Sequence, residues 1–207
     1  MNDRIISDFS NPSSEFRGAP FWAWNGKLDQ DELRRQIRVM HKMGLGGFFM
    51  HSRVGLDTPY LSEEWFDCIR ACIDEAEKLD MNAWLYDEDR WPSGAAGGLV
   101  TSDPKYRARK MVCEIISDLS SVDRSLEYTA LYLAKVDGVA ASDLRKIDSI
   151  PAELSNGDSL LCFRVKLDET SPWYNGGTYL DTISKEAVAK FIEVTHEANA
   201  RYRAGKS

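Results

Sequence analysis

The most informative stretch of this chain is Asn82–Gly94, which reads N-A-W-L-Y-D-E-D-R-W-P-S-G. Its apolar run Ala83–Leu85 leads through a tyrosine into three consecutive acids, Asp87–Asp89, and then into the turn Pro92–Gly94. Such a run predicts a buried strand that ends at the turn. In α/β proteins the carboxyl end of a strand is where ligands bind. The stretch therefore predicts a functional site, the alternative being a solvated acidic turn.

Two stretches upstream have the same order of strand and helix. Phe21–Trp24 and Gly47–Met50 are short apolar runs that predict strands. Asp29 begins a helical pattern as half of a capping box, and Ser62 begins a second one that carries acids in its first turn. Downstream, Gly177–Asp181 predicts a fourth strand, which is followed by a helix beginning near residue 184.

Four β/α units predict parallel strands with right-handed crossovers, and the continuously apolar strands predict a sheet that is covered on both faces. A closed (β/α)8 barrel has eight units and about 250 residues. The fold class expected for these 207 residues is therefore α/β, a partial (β/α)8 TIM barrel that comprises the first four units. A small open sheet is the alternative.

The helical pattern is interrupted between about Tyr106 and Trp173. Three runs rich in β-branched and aromatic residues, 109–117, 128–136 and 160–165, predict a small antiparallel sheet inserted after the third strand. The expected domains are residues 1–105 with three barrel units, 106–175 with the inserted sheet, and 176–207 with the fourth unit, where the barrel is truncated.

Composition and charge exclude several classes of function. The net charge of −7 disfavours nucleic acid and anionic membranes as partners, whereas an acidic, aromatic-rich chain suits a neutral ligand such as a sugar. No signal peptide or membrane-spanning run occurs, and the four cysteines form no C-x-x-C pair. We therefore expect a cytoplasmic protein.

Motifs for other chemistries are missing from the sequence. It contains no G-x-S-x-G, no P-loop and no G-x-G-x-x-G that opens a helix. The acidic cluster would suit calcium among the metals, but no D-x-D-x-D-G loop occurs, so no cofactor is expected.

Four blocks, in this order, resemble a known family. They are P-F-W-A-W-N-G-K-L from Pro20, R-R-Q-I-R-V-M-H-K-M-G-L-G-G-F-F-M-H-S-R from Arg34, P-Y-L-S-E-E-W-F from Pro59 and W-L-Y-D-E-D-R-W-P-S-G from Trp84. Together they are similar to the amino-terminal part of the α-L-rhamnosidase-like glycoside hydrolases of family 106, as is the segment 177–200. The resemblance implies a (β/α)8 barrel that hydrolyses O-glycosidic bonds within a longer chain, whose further acids lie beyond Ser207.

Glycoside hydrolysis requires two carboxyl groups, one of them protonated near neutral pH in a partly apolar pocket. Asp87 and Asp89 are the first candidates for catalytic carboxylates and Glu88 the third, with their roles unassigned. Residues at the ends of the strands are candidates for binding the sugar by stacking or hydrogen bonding: Trp24, Asn25, His51, Arg53, Tyr86, Trp91 and Asp181. Trp22 is expected to face away from Trp24 and to lie in the core.

Two other functions remain open. The chain could bind saccharide without cleaving it, or two copies could pair edge to edge, since a half-barrel leaves its outer strands unpaired. A different barrel chemistry on the same scaffold is the third alternative, because a fold does not determine a function. The expected partners are an oligosaccharide or glycoside, and either the remaining half of the barrel or a second copy.

Overall fold

The computed structural model describes residues 3–91, 93–155, 157–174 and 176–204, and the chain forms two compact units. One unit is Met1–Tyr106 with Thr170–Ser207, and the other is Arg107–Glu169. Each unit contains one sheet, so the chain is an α/β protein with two sheets. Pro92, which was expected in the turn after the third strand, lies outside the described residues.

In the part of the chain that the structure describes, the first unit has three parallel strands and five α-helices. The strands are β1 (Phe21–Gly26), β2 (Gly47–Leu56) and β3 (Asn82–Asp89), and the helices are α1 (Asp3–Ser10), α2 (Gln30–Lys42), α3 (Glu63–Lys78), α4 (Lys185–Ile192) and α5 (Ala198–Ala204). The strand order is β1-β2-β3, so each crossover joins neighbouring strands. A π-helical segment, Glu193–Glu197, links α4 to α5. The parallel pairing expected for the first three strands is confirmed.

Three helix starts have the predicted capping residues. Asp29 accepts a hydrogen bond from the N–H of Glu32 at the start of α2, and Ser62 accepts one from the N–H of Trp65 at the start of α3. Ser184 caps α4 in the same way. Each cap satisfies an N–H that the first helical turn would otherwise leave unpaired.

The main core lies between the sheet and helices α2 and α3. Trp24 is 2% exposed there, and its ring meets those of Trp22 and Trp65 at centroid distances of 5.6 and 6.4 Å. Residues i and i+2 of a strand face the same side, so Trp22 does not face away from Trp24 as expected. The expectation that Trp24 stacks on a sugar is also wrong, because Trp24 is enclosed by the core.

The opposite face of the three-stranded sheet is partly open. Phe21, Phe49 and Trp84 lie side by side across the three strands, and they are 55%, 36% and 39% exposed. The rings of Phe49 and Trp84 stack at 4.8 Å. We call these three residues the open face. The expectation that both faces are covered is therefore wrong, because the main core that contains α2 and α3 packs on the other face.

The expected fourth strand does not form, because Gly177–Asp181 joins neither sheet. Backbone partners outside a sheet hold this segment: Ser171 N–H donates to the Gly177 carbonyl, and Asp181 N–H donates to the Tyr106 carbonyl. Its side chains Thr178 and Leu180 are buried, and they made the segment look like a strand in the sequence. In its described residues the first unit therefore contains three strands, of which β1 and β2 are each followed by an α-helix.

The second unit is an antiparallel sheet of four strands in the order β4-β7-β5-β6. The strands are β4 (Arg109–Ile116), β5 (Ala130–Asp137), β6 (Ala140–Ile147) and β7 (Ser159–Leu167). Strand β6 was missed because seven of its eight residues, AASDLRK, are exposed, so it carries no apolar alternation. It pairs with β5 across the turn at Gly138.

Two further findings concern the environment of the chain. Among the described residues, none of the helices combines the length and the apolar character that a membrane span needs. Cys68, Cys72 and Cys162 are buried free thiols, whereas Cys113 is exposed on β4.

Candidate functional site

A β-bulge shapes the carboxyl end of β3. Met50 of β2 pairs with Leu85, but the next pair joins Ser52 to Asp89, so one residue of β2 stands against three of β3. Such a bulge disrupts the ladder locally and redirects side chains. As a result Tyr86, Asp87 and Glu88 point to three different surroundings, although Tyr86 and Asp87 share a contact with Ser93.

Tyr86 belongs to a chain of aromatic rings that begins at the open face. His51 is fully buried, with its ring 4.4 Å from that of Phe21 and 4.1 Å from that of Tyr86. Tyr86 in turn stacks on Trp91 at 6.4 Å, with an angle of 27° between the rings. Trp91 is 57% exposed, so its ring offers an apolar platform beside the acids.

His51 holds the backbone that follows the acids. Its Nε2 lies 2.7 Å from the carbonyl oxygen of Arg90, and because a carbonyl only accepts, Nε2 carries the proton. Arg90 has a φ of +83°, a strained conformation for a residue with a side chain. Burial lowers the pKa of His51, and the charge of Arg53 acts in the same direction. The imidazole is therefore favoured in its neutral form.

Asp87 is more accessible than Asp89, with 32% of its side chain exposed. Ser93 Oγ donates to its Oδ1 at 2.6 Å, and His196 Nε2 lies 3.2 Å from its Oδ2. The same serine hydroxyl lies 3.2 Å from that of Tyr86. These contacts keep the Asp87 carboxylate at the surface and fix its orientation.

Glu88 is 1% exposed and organises a loop. Its two oxygens accept hydrogen bonds of 2.5–2.8 Å from four backbone N–H groups, those of Asp89, Gly94, Ala96 and Gly97. Burial raises the pKa of Glu88, and these N–H donors oppose that effect. With four donors already bound, the carboxylate has no lone pair left for a substrate, so Glu88 is corrected from a catalytic candidate to a structural residue.

Two glycines make this loop possible. At Gly97 φ is +63°, and a Cβ there would lie 3.0 Å from Cβ of Asp89. At Gly94 φ is +138°, and a Cβ would lie 3.1 Å from Cβ of Leu180. A larger residue at either position would push the loop away from the carboxylate of Glu88.

Asp89 is enclosed by this arrangement. Its side chain is 12% exposed, its Oδ1 is buried without a hydrogen-bond partner, and its Oδ2 lies 3.7 Å from Nε of Arg90. Burial raises the pKa of Asp89, and the charge of Arg90 opposes the shift. The enclosure of Asp89 therefore disfavours its charged form in the free protein.

The remaining predicted residues lie in different settings. Arg53 is half-buried on β2, close enough to His51 to influence its pKa, and Asn25 is exposed at the end of β1. Asp181 is 4% exposed, and its Oδ1 accepts a hydrogen bond from the N–H of Ile183 just before α4. That contact gives Asp181 a local structural role.

Four residues of the site were missed in the sequence: Tyr60, Arg90, Ser93 and His196. Tyr60 precedes the Ser62 cap of α3, so it lies in a βα-loop, which is the one signal that could have pointed to it. Burial raises the pKa of Tyr60, and the charges of Glu88, Asp87 and Asp89 reinforce this shift. His196 is separated from Asp87 by 109 residues, and no local pattern joins the two.

A cavity of about 860 Å³ lies along the outer edge of β3. Ala83, Leu85 and Asp87 of β3 line one side of it, and Ile69 of α3 and Tyr202 of α5 line the other. Within the described ranges, no group of three or more His, Cys, Asp or Glu side chains is arranged to hold a metal ion.

Comparison with known proteins finds a structural likeness but no family. No family model matches this sequence, and no curated protein matches it. A solved rhamnosidase from Novosphingobium sp. PP1Y is similar to the chain, with 23% sequence identity and a TM-score of 0.46 over 63% of this chain. The chain spans 14% of the length of that rhamnosidase. A likeness of this size does not assign a function to the chain.

Proposed function

We propose that this chain is the amino-terminal part of the catalytic barrel of a glycoside hydrolase that acts on α-L-rhamnosides. The observation that carries the proposal is the exposed ring of Trp91 beside two carboxyl groups in different environments. The three-stranded parallel sheet would be the first part of a (β/α)8 barrel, and the site lies at the carboxyl ends of its strands, where barrel enzymes bind substrates.

The two aspartates suit different tasks. Asp89 is largely buried and one of its carboxylate oxygens has no partner in the chain, so it is our candidate for the acceptor of an enclosed sugar hydroxyl. Asp87 is partly exposed and already accepts a hydrogen bond from Ser93, so it is our candidate for a ligand of the sugar hydroxyls. The apolar face of a sugar ring would stack on Trp91, with Arg53 and Asn25 as further polar groups at the strand ends.

Removing the ring of Trp91 is expected to weaken binding of methyl α-L-rhamnoside about tenfold, because ring stacking contributes roughly 1 kcal/mol beyond the burial of apolar area. Isothermal titration calorimetry on the 207-residue chain compares the wild type with Trp91→Ala. Trp84→Ala is the matched control, since Trp84 is also exposed and also stacks on an aromatic neighbour. Equal losses in the two variants, or a wild type that binds no rhamnoside, would contradict the proposal.

The open face favours a second function, that of an assembly module. It presents Phe21, Phe49 and Trp84 to solvent, and β1 and β3 each have a single neighbour in the sheet. Exposed apolar patches and unpaired strand edges are typical of surfaces that bind another protein. In this alternative a second copy of the chain, or further barrel strands, would pair edge to edge with the sheet.

If a second copy pairs edge to edge with the sheet and so encloses the open face, the chain of 23.4 kDa is expected to form a dimer of twice that mass in solution. Trp84→Lys would then convert the dimer to a monomer, because a charge cannot be buried there unpaired. Size-exclusion chromatography with light scattering measures both. Val139→Lys, on an exposed position of the other unit, is the control and leaves the mass unchanged. A wild type that is monomeric at 100 µM would rule out the second-copy version.

A further inference from the structure

Unpaired polar atoms gather at the carboxyl end of β3. Seven side-chain nitrogen and oxygen atoms in the described part of the chain are buried without a hydrogen-bond partner. Four of the seven belong to this region: Asp89 Oδ1, Arg90 Nε, His51 Nδ1 and Tyr60 Oη. His51 contacts the Arg90 carbonyl through its other ring nitrogen, and Tyr60 lies close enough to the three acids for their charges to act on its hydroxyl. Folded proteins pair almost all such atoms, so a concentration of them at one place requires an explanation.

Backbone strain gathers at the same place. Five residues other than glycine have a positive φ among those described, and three of them flank these atoms. Leu61 follows Tyr60 with a φ of +58°, Arg90 has a φ of +83°, and Ala96 in the loop held by Glu88 has a φ of +52°. Strained residues cluster at ligand-binding sites, because only a tightly determined surrounding structure maintains them.

The unpaired atoms form a complementary set. Asp89 Oδ1 can only accept when the carboxylate is ionised, Arg90 Nε can only donate, and the Tyr60 hydroxyl can do both. Arg90 Nε and Asp89 Oδ2 are 3.7 Å apart, which is too far for them to satisfy one another. A ligand hydroxyl donates one hydrogen bond and accepts others, so it can serve an acceptor and a donor at once.

From this arrangement, and resting on the function proposed above, we infer that Tyr60, Asp89 and Arg90 form a subsite for hydroxyl groups of the sugar, with Tyr60 as a specificity-determining residue. The side chains of Asp89 and Arg90 are 12% and 22% exposed, although the unpaired atoms themselves are buried. His51 acts as a positioning residue, since its Nε2–H holds the Arg90 carbonyl. The Tyr60 ring packs edge-on against the ring of Trp65, with 5.1 Å between the ring centroids.

The test separates the hydroxyl of Tyr60 from its ring. Tyr60→Phe keeps the packing against Trp65 and removes only an oxygen that has no partner in the chain. We expect the urea midpoint to stay the same or rise, while the Kd for methyl α-L-rhamnoside increases five- to tenfold. Tyr128→Phe is the matched control, because the Tyr128 hydroxyl donates to the Asp123 carbonyl in the other unit. That control is expected to lower the urea midpoint and leave the Kd unchanged.

Deoxy sugars identify the hydroxyl that Tyr60 binds. Three sugars are compared with the parent methyl α-L-rhamnoside: its 2-, 3- and 4-deoxy forms. For the wild type, at least one of them is expected to have a higher Kd than the parent sugar. For Tyr60→Phe, that same deoxy sugar and the parent sugar are expected to have equal Kd values. A Tyr60→Phe variant that binds the parent sugar like the wild type, or a lowered urea midpoint, would overturn the subsite and leave the proposed function standing. A wild type that binds no sugar would overturn both.

Discussion

Glu88→Ala is expected to lower the free energy of unfolding by about 4 kcal/mol, the largest stability effect that we predict for a single residue. Four backbone N–H groups lose their acceptor at once, and three of them, those of Gly94, Ala96 and Gly97, belong to the loop that follows β3. Each buried donor left unpaired costs roughly 1–3 kcal/mol, partly recovered as the loop opens to water. Urea denaturation followed by far-UV circular dichroism measures the loss.

Two comparisons isolate the cause. Glu88→Gln preserves the shape but turns an NH2 group toward N–H donors, so we expect it to recover less than half of the loss. Glu75→Ala is the matched control, because Glu75 is also buried but its partners, Arg38 and Lys78, are exposed side chains that can turn to water. That control is expected to cost about 1 kcal/mol. A loss below 1 kcal/mol for Glu88→Ala would mean that the loop does not depend on the carboxylate.

The parts of the fold that follow from local chemistry could be predicted from the sequence. Asp29 and Ser62 predict the starts of their helices, because the side chain of a capping residue accepts a hydrogen bond from the N–H three residues ahead. Both partners therefore belong to one short sequence motif. The strands β1, β2 and β3 could also be predicted locally, because each contains a short apolar run. The segment 177–181 was misread because its buried side chains give it the same pattern, although its backbone partners lie at Ser171 and Tyr106.

The position of the site could be predicted from the sequence, but the separate roles of its three acids could not. Three adjacent acids after an apolar run point to the end of β3, yet only the bulge decides that Asp87 reaches His196, Glu88 turns into the loop and Asp89 is enclosed. Trp24 was wrongly predicted to stack on a sugar, because the sequence of a continuously apolar strand does not show which face of the strand packs against the helices. Tyr60 was missed because its neighbours among the acids come from a distant part of the chain.

Asp89→Asn is expected to weaken binding of methyl α-L-rhamnoside at least tenfold while making the free protein more stable. The substitution removes a charge-assisted hydrogen bond to the ligand, which contributes roughly 1.5–3 kcal/mol. It also removes a carboxylate whose Oδ1 is buried without a partner in the chain, so at pH 7 we expect a gain of about 1 kcal/mol in the free energy of unfolding. Calorimetry and urea denaturation measure the two effects separately.

The stability gain is expected to depend on pH with a definite sign. Because burial raises the pKa of Asp89 above its value in the unfolded chain, the wild type has this stabilising contribution in full below the ordinary aspartate pKa. It loses the contribution as the pH rises through the raised pKa. Asp89→Asn does not titrate there, so the two proteins should be equally stable near pH 3, and the variant should be the more stable one at pH 7.

Asp118→Asn is the control of opposite sign. Hydrogen bonds from Ser120 lower the pKa of Asp118, so its contribution is present at pH 7 and is lost on acidification. That variant should be less stable than the wild type at neutral pH and should bind the sugar unchanged. If Asp89→Asn instead lowered stability at pH 7, Asp89 would be a residue that the fold needs. A carboxyl group that weakens the free protein and strengthens the complex is one that the fold retains for its ligand.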